Sequence, residues 1–363
     1  MYNHHHIREG LRMLQRRISI KNEGIKQYEG DAEEICKSIV NDCWNNVFFQ
    51  VSSGHFSLFY MRDFSMCVEA LIKLGYKKEV LKTLHYALVV YSRDKHTSTT
   101  ISQDHKGFNV FSYAPDTLAF LLYSLRIADA KDLIEIYKPF LEAEIDYFYD
   151  IIIDKETGLI RSDKVFSSIK DNSKRRSSCY DNCCAAVISR EASNLKLHNP
   201  LKQYNYEELI KQTFWTGEYF KDTKETNYVC GDANTFPYWF KLFIDKKMIK
   251  SSIKKIRENN LDKPFPLKYT SFIPKNFMFP LSLLANNYEG NTIWVHLGLC
   301  YIDVVAKVDK KLTKYYLEQY NKRIEAHKNF LELYDEHGKV YKTLFYHSDE
   351  GMLWASKWLV LVK

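Results

Sequence analysis

Ser53-Gly54-His55-Phe56-Ser57-Leu58-Phe59-Tyr60-Met61-Arg62-Asp63-Phe64-Ser65-Met66 is the stretch on which the reading of this chain turns. Its first half is polar and aromatic, and its end opens an apolar run with helical spacing, Phe64 to Leu74. An Arg and an Asp at the mouth of a buried helix cost free energy unless they meet partners or a ligand. The arrangement recurs. Later apolar runs open at Pro115-Asp116, Tyr180-Asp181, Gly231-Asp232, Gly290-Asn291 and Asp349-Glu350-Gly351. The gaps between positions 63, 116, 181, 232, 291 and 350 are 53, 65, 51, 59 and 59 residues. Six units of similar length, each with a polar helix entrance, indicate a repeat architecture.

Outward from that stretch, hydrophobic periodicity and turn residues predict twelve helices. The first begins at the N-cap Asp31, with Ile35, Ile39, Cys43 and Trp44 on its apolar face, and runs to about 48. The others cover about 62–74, 78–91, 115–128, 131–152, 180–195, 206–220, 232–243, 246–259, 291–308, 311–332 and 351–362. The stretch 261–288, with four Pro, is expected to be loop or short helices. Links from even to odd helices are mostly short, around 75–77, 129–130, 245–246 and 309–310. Links from odd to even are mostly long: 49–61, 92–114, 153–179, 221–230, 260–290 and 333–349. Antiparallel neighbours joined in this way gather the long loops and the even-helix N-termini at one end. The even helices are also the more apolar, as in Leu118 to Leu125, Trp294 to Val305 and Met352 to Val362, so they belong inside. An all-α fold follows: an (α/α)6 barrel of two concentric six-helix rings, with a funnel at the loop-rich end. Strand alternation is nearly absent, which disfavours a parallel-sheet fold.

Residues 1–30 read as a polar, basic N-terminal leader, and 31–363 as one barrel domain. His4, His5 and His6 read as a frayed terminus rather than a metal site. At 363 residues, 45% of them hydrophobic, the chain has material for a large core, and its scarce Gly and Pro suit a helical protein. The charge of +7 is spread over many Lys without a concentrated basic block, so nucleic-acid binding is not indicated. No apolar run approaches a membrane span. The eight Cys form no C-x-x-C pair and lack zinc spacing, which suits reduced thiols in a cytoplasmic protein. Aromatic residues reach 15%, with 26 Tyr, and aromatic faces suit sugar rings as well as cores.

The funnel end would gather Arg62, Asp63, Asp116, Asp181, Asp232, Asn291, Asp349 and Glu350, with Glu332 at the end of the eleventh helix. Paired carboxylates across a pocket are what glycoside hydrolysis uses, one as acid and one as base or nucleophile. Taken singly, each Asp reads equally well as a helix cap. Convergence on one rim with aromatic residues is what points to a site. His296 and Cys183-Cys184 read as core, and Trp215 and Trp294 as either core or sugar platforms.

These residues resemble the six-hairpin glycosidases, (α/α)6 enzymes that include glucoamylases, debranching α-glucosidases and trehalases. They are most similar to the branch with processing α-glucosidase and mannosylglycerate hydrolase. Tyr60-Met61-Arg62-Asp63 resembles the aromatic-x-Arg-Asp motif, whose Arg and Asp hold the terminal sugar's hydroxyls. Tyr180-Asp181-Asn182 resembles the Asp-Asn motif, in which the Asp is the general acid. Phe330-Leu331-Glu332-Leu333-Tyr334-Asp335, followed by Gly338, is similar to the segment whose Glu is the general base. Gly351-Met352-Leu353-Trp354-Ala355-Ser356 resembles the final-helix motif, and Gly290 to Trp294 a Gly-Pro-x-Trp element. Asp181-Asn182 departs from the pattern by running into Cys183-Cys184-Ala185-Ala186 without a downstream Arg. The Gly290 element departs by lacking its Pro and being one residue longer.

The resemblance implies an inverting, exo-acting hydrolase of an α-glucoside or similar small sugar, without cofactor or metal. Asp181 would be its acid and Glu332 its base, with Glu350 in reserve as base. Substrate contacts would come from Tyr60, Arg62, Asp63, Asp116, Asp232, Trp294 and Glu350. Three other functions stay open: a sugar epimerase or isomerase using His55, His296 and His347, a glycoside phosphorylase, and a carbohydrate-binding relic. The expected partner is a small carbohydrate, with no nucleic acid or membrane. Which sugar, which linkage and which oligomeric state are left open.

Overall fold

A computed structural model describes residues 4–275 and 285–363 of the chain. Thirteen helices are described: α1 (His4–Glu23), α2 (Ala32–Asp42), α3 (Met61–Lys73), α4 (Lys77–Asp94), α5 (Pro115–Ile127), α6 (Lys131–Ile152), α7 (Cys179–Asn194), α8 (Tyr206–Phe214), α9 (Phe236–Trp239), α10 (Lys246–Glu258), α11 (Val295–Val305), α12 (Lys310–His327) and α13 (Ala355–Leu361). Helices α3, α5, α7, α9, α11 and α13 form the inner ring. Each touches the next, and α13 closes back on α3. Their sequences explain the placement: α5 is buried at every position from Pro115 to Leu125, and α11 from Val295 to Ile302. The outer helices are amphipathic and bury one stripe, as α12 does with Thr313, Tyr316, Leu317, Tyr320 and Ile324. This is the expected (α/α)6 barrel.

Local chemistry sets the helix ends. Asp31 caps α2 in a capping box with Glu34, and Asp245 and Asp309 cap α10 and α12. Several boundaries differ from expectation. The eleventh helix does not reach Glu332, because Lys328 turns left-handed at φ 48 after His327 and ends α12. Glu332 stands instead in a bend before a short strand. The eighth helix shrinks to Phe236–Trp239, leaving Asp232 in the turn ahead of it, where it accepts the amide N–H of Phe236. The seventh stops at Phe214, short of Trp215. The tenth and twelfth start only at Val295 and Ala355, so Asn291 and Glu350 precede their helices rather than cap them. Asp63, Asp116 and Asp181 do lie in first turns.

Five two-residue strands, the elements sequence periodicity missed, fasten the loop end. β1 (Phe59–Tyr60), β2 (Thr100–Ile101) and β3 (Gly107–Phe108) pair antiparallel, as do β4 (Ile293–Trp294) and β5 (Leu333–Tyr334). β1 runs directly into α3 and β4 into α11, so ladder hydrogen bonds fix the entrances of two inner helices. Segments this short carry no readable alternation.

The stretch read as a basic leader carries α1, which docks on the loop end. Arg12 donates to the carbonyl of His55 and to the Ser57 hydroxyl, both at 2.6 Å, and Arg17 to the carbonyl of Thr343 at 3.1 Å. Ile20 is buried beneath it. His4, His5 and His6 open this helix, and their side chains lie outside the described residues, as do 276–284 of the proline-bearing stretch.

Candidate active site

At the loop end, two hydrogen-bonded groups form, one around Asp181 and one around Glu332. The first is organised by a loop, 165–178, whose polar side chains turn inward. Arg62, in the first turn of α3, donates to Asp116 at 2.7 Å, to Asp171 at 3.1 Å and to the carbonyl of Ser168 at 2.8 Å. Tyr180 donates to the same Asp116 oxygen at 2.9 Å. Asp181 accepts the hydroxyls of Ser168 and Ser178, each at 2.7 Å. Arg175 reaches Ser168 Oγ at 3.1 Å, Asp222 at 2.9 Å and Asp232 at 2.7 Å. Lys170 adds a second buried cation, 3.0 Å from Asp222 and 3.7 Å from Asp232.

The electrostatics follow from who neutralises whom. Burial lifts the Asp181 carboxyl to about 6, against the lowering effect of Arg175 and the two serine hydroxyls. Asp222, gripped by Lys170 and Arg175, is held well below the usual carboxylate range despite its burial. Asp222, Cys230 and Asp232 have ligand atoms within 4.8 Å of one another, the geometry of a small metal site. Lys170 and Arg175 already supply the positive charge there, so the donor set does not fit an added cation. A cavity of about 390 Å³ opens beside this group, lined by Lys174, Arg175, Arg176, Asp222, Thr223 and Tyr228.

Among the described residues, no cation stands against the carboxylate of the second group. Glu332 is 1% exposed and accepts Tyr288 Oη at 2.7 Å, Tyr346 Oη at 2.5 Å and the amide of Asp349 at 2.9 Å. A carboxylate offers about four lone-pair sites, so three donors leave about one for a water or substrate hydroxyl. Burial first, and Asp349 second, lift Glu332 to about 8. Trp294 braces the group by donating its indole N–H to the carbonyl of Tyr288 at 2.7 Å. Asp349 is cradled by the amides of His55 and Phe56, both at 2.9 Å. Gly54 permits that approach, since a Cβ there would lie 2.0 Å from the Asp349 carboxylate.

The predicted residues therefore divide. Arg62, Asp116, Asp181 and Asp232 join one network, and Glu332 and Trp294 the other. Tyr60 and Asp63 are the partly exposed members at the mouth, and burial raises Asp63 to about 6. Asp116 and Asp232 are fully buried, Asp116 pairing with Arg62 and Asp232 with Arg175 and Lys170. Glu350 turns away from both groups. It pairs with Arg16 of α1 and accepts the amide of Lys26 at 2.8 Å. Sequence reasoning missed Lys170, Asp171, Arg175, Asp222, Tyr288, Glu289 and Tyr346. The charged run Lys170-Asp171-Asn172-Ser173-Lys174-Arg175-Arg176 inside a long loop was the available signal.

Among solved structures, a variant glycosidase in complex with glucose superposes at TM-score 0.66 and 12% identity, covering 100% of this chain and 98% of its own. A mannosylglycerate hydrolase of Thermus thermophilus, in complex with Tris and D-glycerate, gives TM-score 0.63 at 10% identity, over 91% of this chain and 99% of that one. A rhamnosidase of Klebsiella oxytoca with rhamnose bound gives 0.61 at 10% identity, covering 92% of this chain, which spans 64% of the rhamnosidase. The fold is that of the six-hairpin glycosidases. No family model matches the chain, and no curated protein matches it in sequence.

Proposed function

We propose that the protein is a glycoside hydrolase, inverting and exo-acting on an α-glucoside or similar small sugar. The observation that carries this is the pair of buried carboxyls, Asp181 and Glu332, each held by its own hydroxyl donors at the loop end of a glycosidase barrel. In that reading Asp181 protonates the departing oxygen, and the free lone pair of Glu332 takes the attacking water's proton. Arg62, fixed by Asp116 and Asp171, and the half-buried Asp63 hold the terminal sugar's hydroxyls. Histidine-based epimerisation has less support. His296 is wedged between Trp294 and Trp354 with its pKa lowered by burial to about 3, and His55 is committed to Asp349 and Tyr346. No described helix is long and apolar enough to cross a membrane, and all eight Cys are free and buried, which suits a cytoplasmic enzyme.

One observation favours a second assignment within the same reaction. Glu332 at about 8 holds its proton more firmly than Asp181 at about 6, the order expected if Glu332 were the acid and Asp181 the base. With the first assignment, the carboxyl that holds its proton more firmly would have to be the ionised one. The test of function is a panel of α-glycosides followed by NMR for released sugar and its first anomer. Inverted product supports the proposal. Retained configuration, phosphate dependence, conversion of free sugar, or binding without turnover would each overturn it.

A further inference from the structure

Tyr288 and Glu289 are adjacent, and each side chain grips a different half of the site. Tyr288 donates to Glu332 at 2.7 Å. Glu289, 3% exposed, accepts the Asn172 backbone N–H at 2.8 Å and the Asn172 side-chain amide at 2.9 Å. The opposite end is a second adjacent pair. Asp171 holds Arg62 at 3.1 Å while Asn172 holds Glu289. An unbroken path therefore runs from Arg62 through Asp171-Asn172 and Glu289-Tyr288 to Glu332. Its two halves come from different hairpins, the loop ahead of α7 and the loop ahead of α11, and the Asn172–Glu289 contact joins them.

We propose that the Asn172–Glu289 contact is a positioning tie that sets how the sugar-binding and acid-bearing loop stands against the Glu332 group. The inference rests on the reaction proposed above but concerns a pair to which no catalytic role is given. Its physical basis is that a carboxylate accepting two N–H donors from one residue is bidentate, and so fixes orientation as well as distance. Reaction at two opposed carboxyls is sensitive to such placement, since an error near 1 Å costs about a hundredfold in rate. Burial first, and Asp171 second, raise the Glu289 carboxyl to about 7 against the lowering effect of the Asn172 donors and Arg175, so ionising it there is costly for a purely structural use.

The test compares Glu289→Ala, Asn172→Ala and the reciprocal double variant Asn172→Asp with Glu289→Gln, which restores a donor opposite an acceptor with the roles exchanged. Each Ala variant is expected to lose about tenfold to a hundredfold in kcat with KM changed by less than about threefold. The reciprocal variant should recover most of the loss. Equal kcat in all four proteins, or a loss explained wholly by a smaller folded fraction, overturns the tie. Hydrogen exchange judges it separately from activity. In Glu289→Ala, exchange should rise in peptides from both 165–178 and 329–350. A rise confined to the Asn172 amide overturns the tie even if the wild type hydrolyses glycosides. Should the wild type turn over no glycoside, the functional proposal falls, and the exchange result alone decides the tie.

Discussion

The Asp181 group and the Glu332 group solve the same problem, a buried carboxyl, by different means. Around Asp181 the loop 165–178 brings in Lys170 and Arg175, so acidic and cationic groups settle their charges among themselves. Asp222 is consequently held low, and Asp181 rises only to about 6. Around Glu332 the donors are neutral: two tyrosine hydroxyls and one amide. Hydroxyls orient a carboxylate without cancelling its charge, so burial dominates and Glu332 climbs to about 8. A cation network thus fixes the charge of the carboxylate it grips directly, Asp222, whereas a hydroxyl cage leaves one free to change near neutral pH.

The largest effect expected is loss of turnover. Asp181→Asn and Glu332→Gln should each lower kcat on natural glycosides by about a hundredfold to ten-thousandfold. An activated aryl or fluoride glycoside leaves without protonation, so it should restore only the variant that has lost the acid. Rescue of Asp181→Asn alone fixes the first assignment of roles. Rescue of Glu332→Gln alone exchanges them, and the base then lies among the cations.

Next in size is a break in the cation network. Arg175→Met leaves Asp222 and Asp232 sharing Lys170, and removing one partner of a buried ion group costs about 3–5 kcal/mol. Urea unfolding should show that loss, while Tyr288→Phe on the other side, removing a neutral hydroxyl, should cost about 1–3 kcal/mol. Equal losses would mean that the two sides are not built differently after all.

A third experiment uses the cage itself. Tyr346→Phe removes a donor from the ionised form of Glu332, worth about 1.5–3 kcal/mol, and so pushes its pKa up by about one to two units. The pH–rate profile should be a bell with limbs near 6 and 8, and the upper limb should move upward. The plateau carries the sharper information. If Glu332 must be ionised to act, the plateau falls about tenfold or more with the shift. If Glu332 acts as the acid, the plateau holds.

How much of this the sequence disclosed depends on which force places each residue. Arg62, Asp116 and Asp181 were legible because they sit in first turns of apolar helices, where local periodicity betrays them. The six-unit spacing and the alternation of loop lengths carried the barrel for the same reason. Asp171, Arg175, Tyr288, Glu289 and Tyr346 come from irregular loops, and only tertiary packing brings them together, so no spacing marks them. Asp349 and Glu350 show the limit most clearly. Adjacent and chemically alike, they part because the amides of His55 and Phe56 claim one and Arg16 with Lys26 claims the other. The basic residues of α1 looked like a leader because the loop-end partners of Arg12 and Arg17 lie more than forty residues away.

The last test separates the two groups by stability against pH. Both carboxyls have folded pKa values above their ordinary ones, 3.8 for Asp181 and 4.5 for Glu332. The folded state therefore binds protons more tightly than the unfolded state. Each group's stabilisation is present below its ordinary value and is lost as pH rises to the folded value. The slope for one such group is about 1.4 kcal/mol per pH unit within its window. Asp181 acts between about 4 and 6, and Glu332 between about 4.5 and 8. Above pH 6, then, the Asp181 contribution is exhausted while that of Glu332 still declines. Glu332→Gln should flatten the stability curve from pH 6 to 8, measured by urea unfolding at closely spaced pH values. Asp181→Asn should flatten it only below 6. If the wild-type curve is already flat from 6 to 8, Glu332 is ionised throughout that range, and its cage neutralises charge as well as the cations of the Asp181 group do.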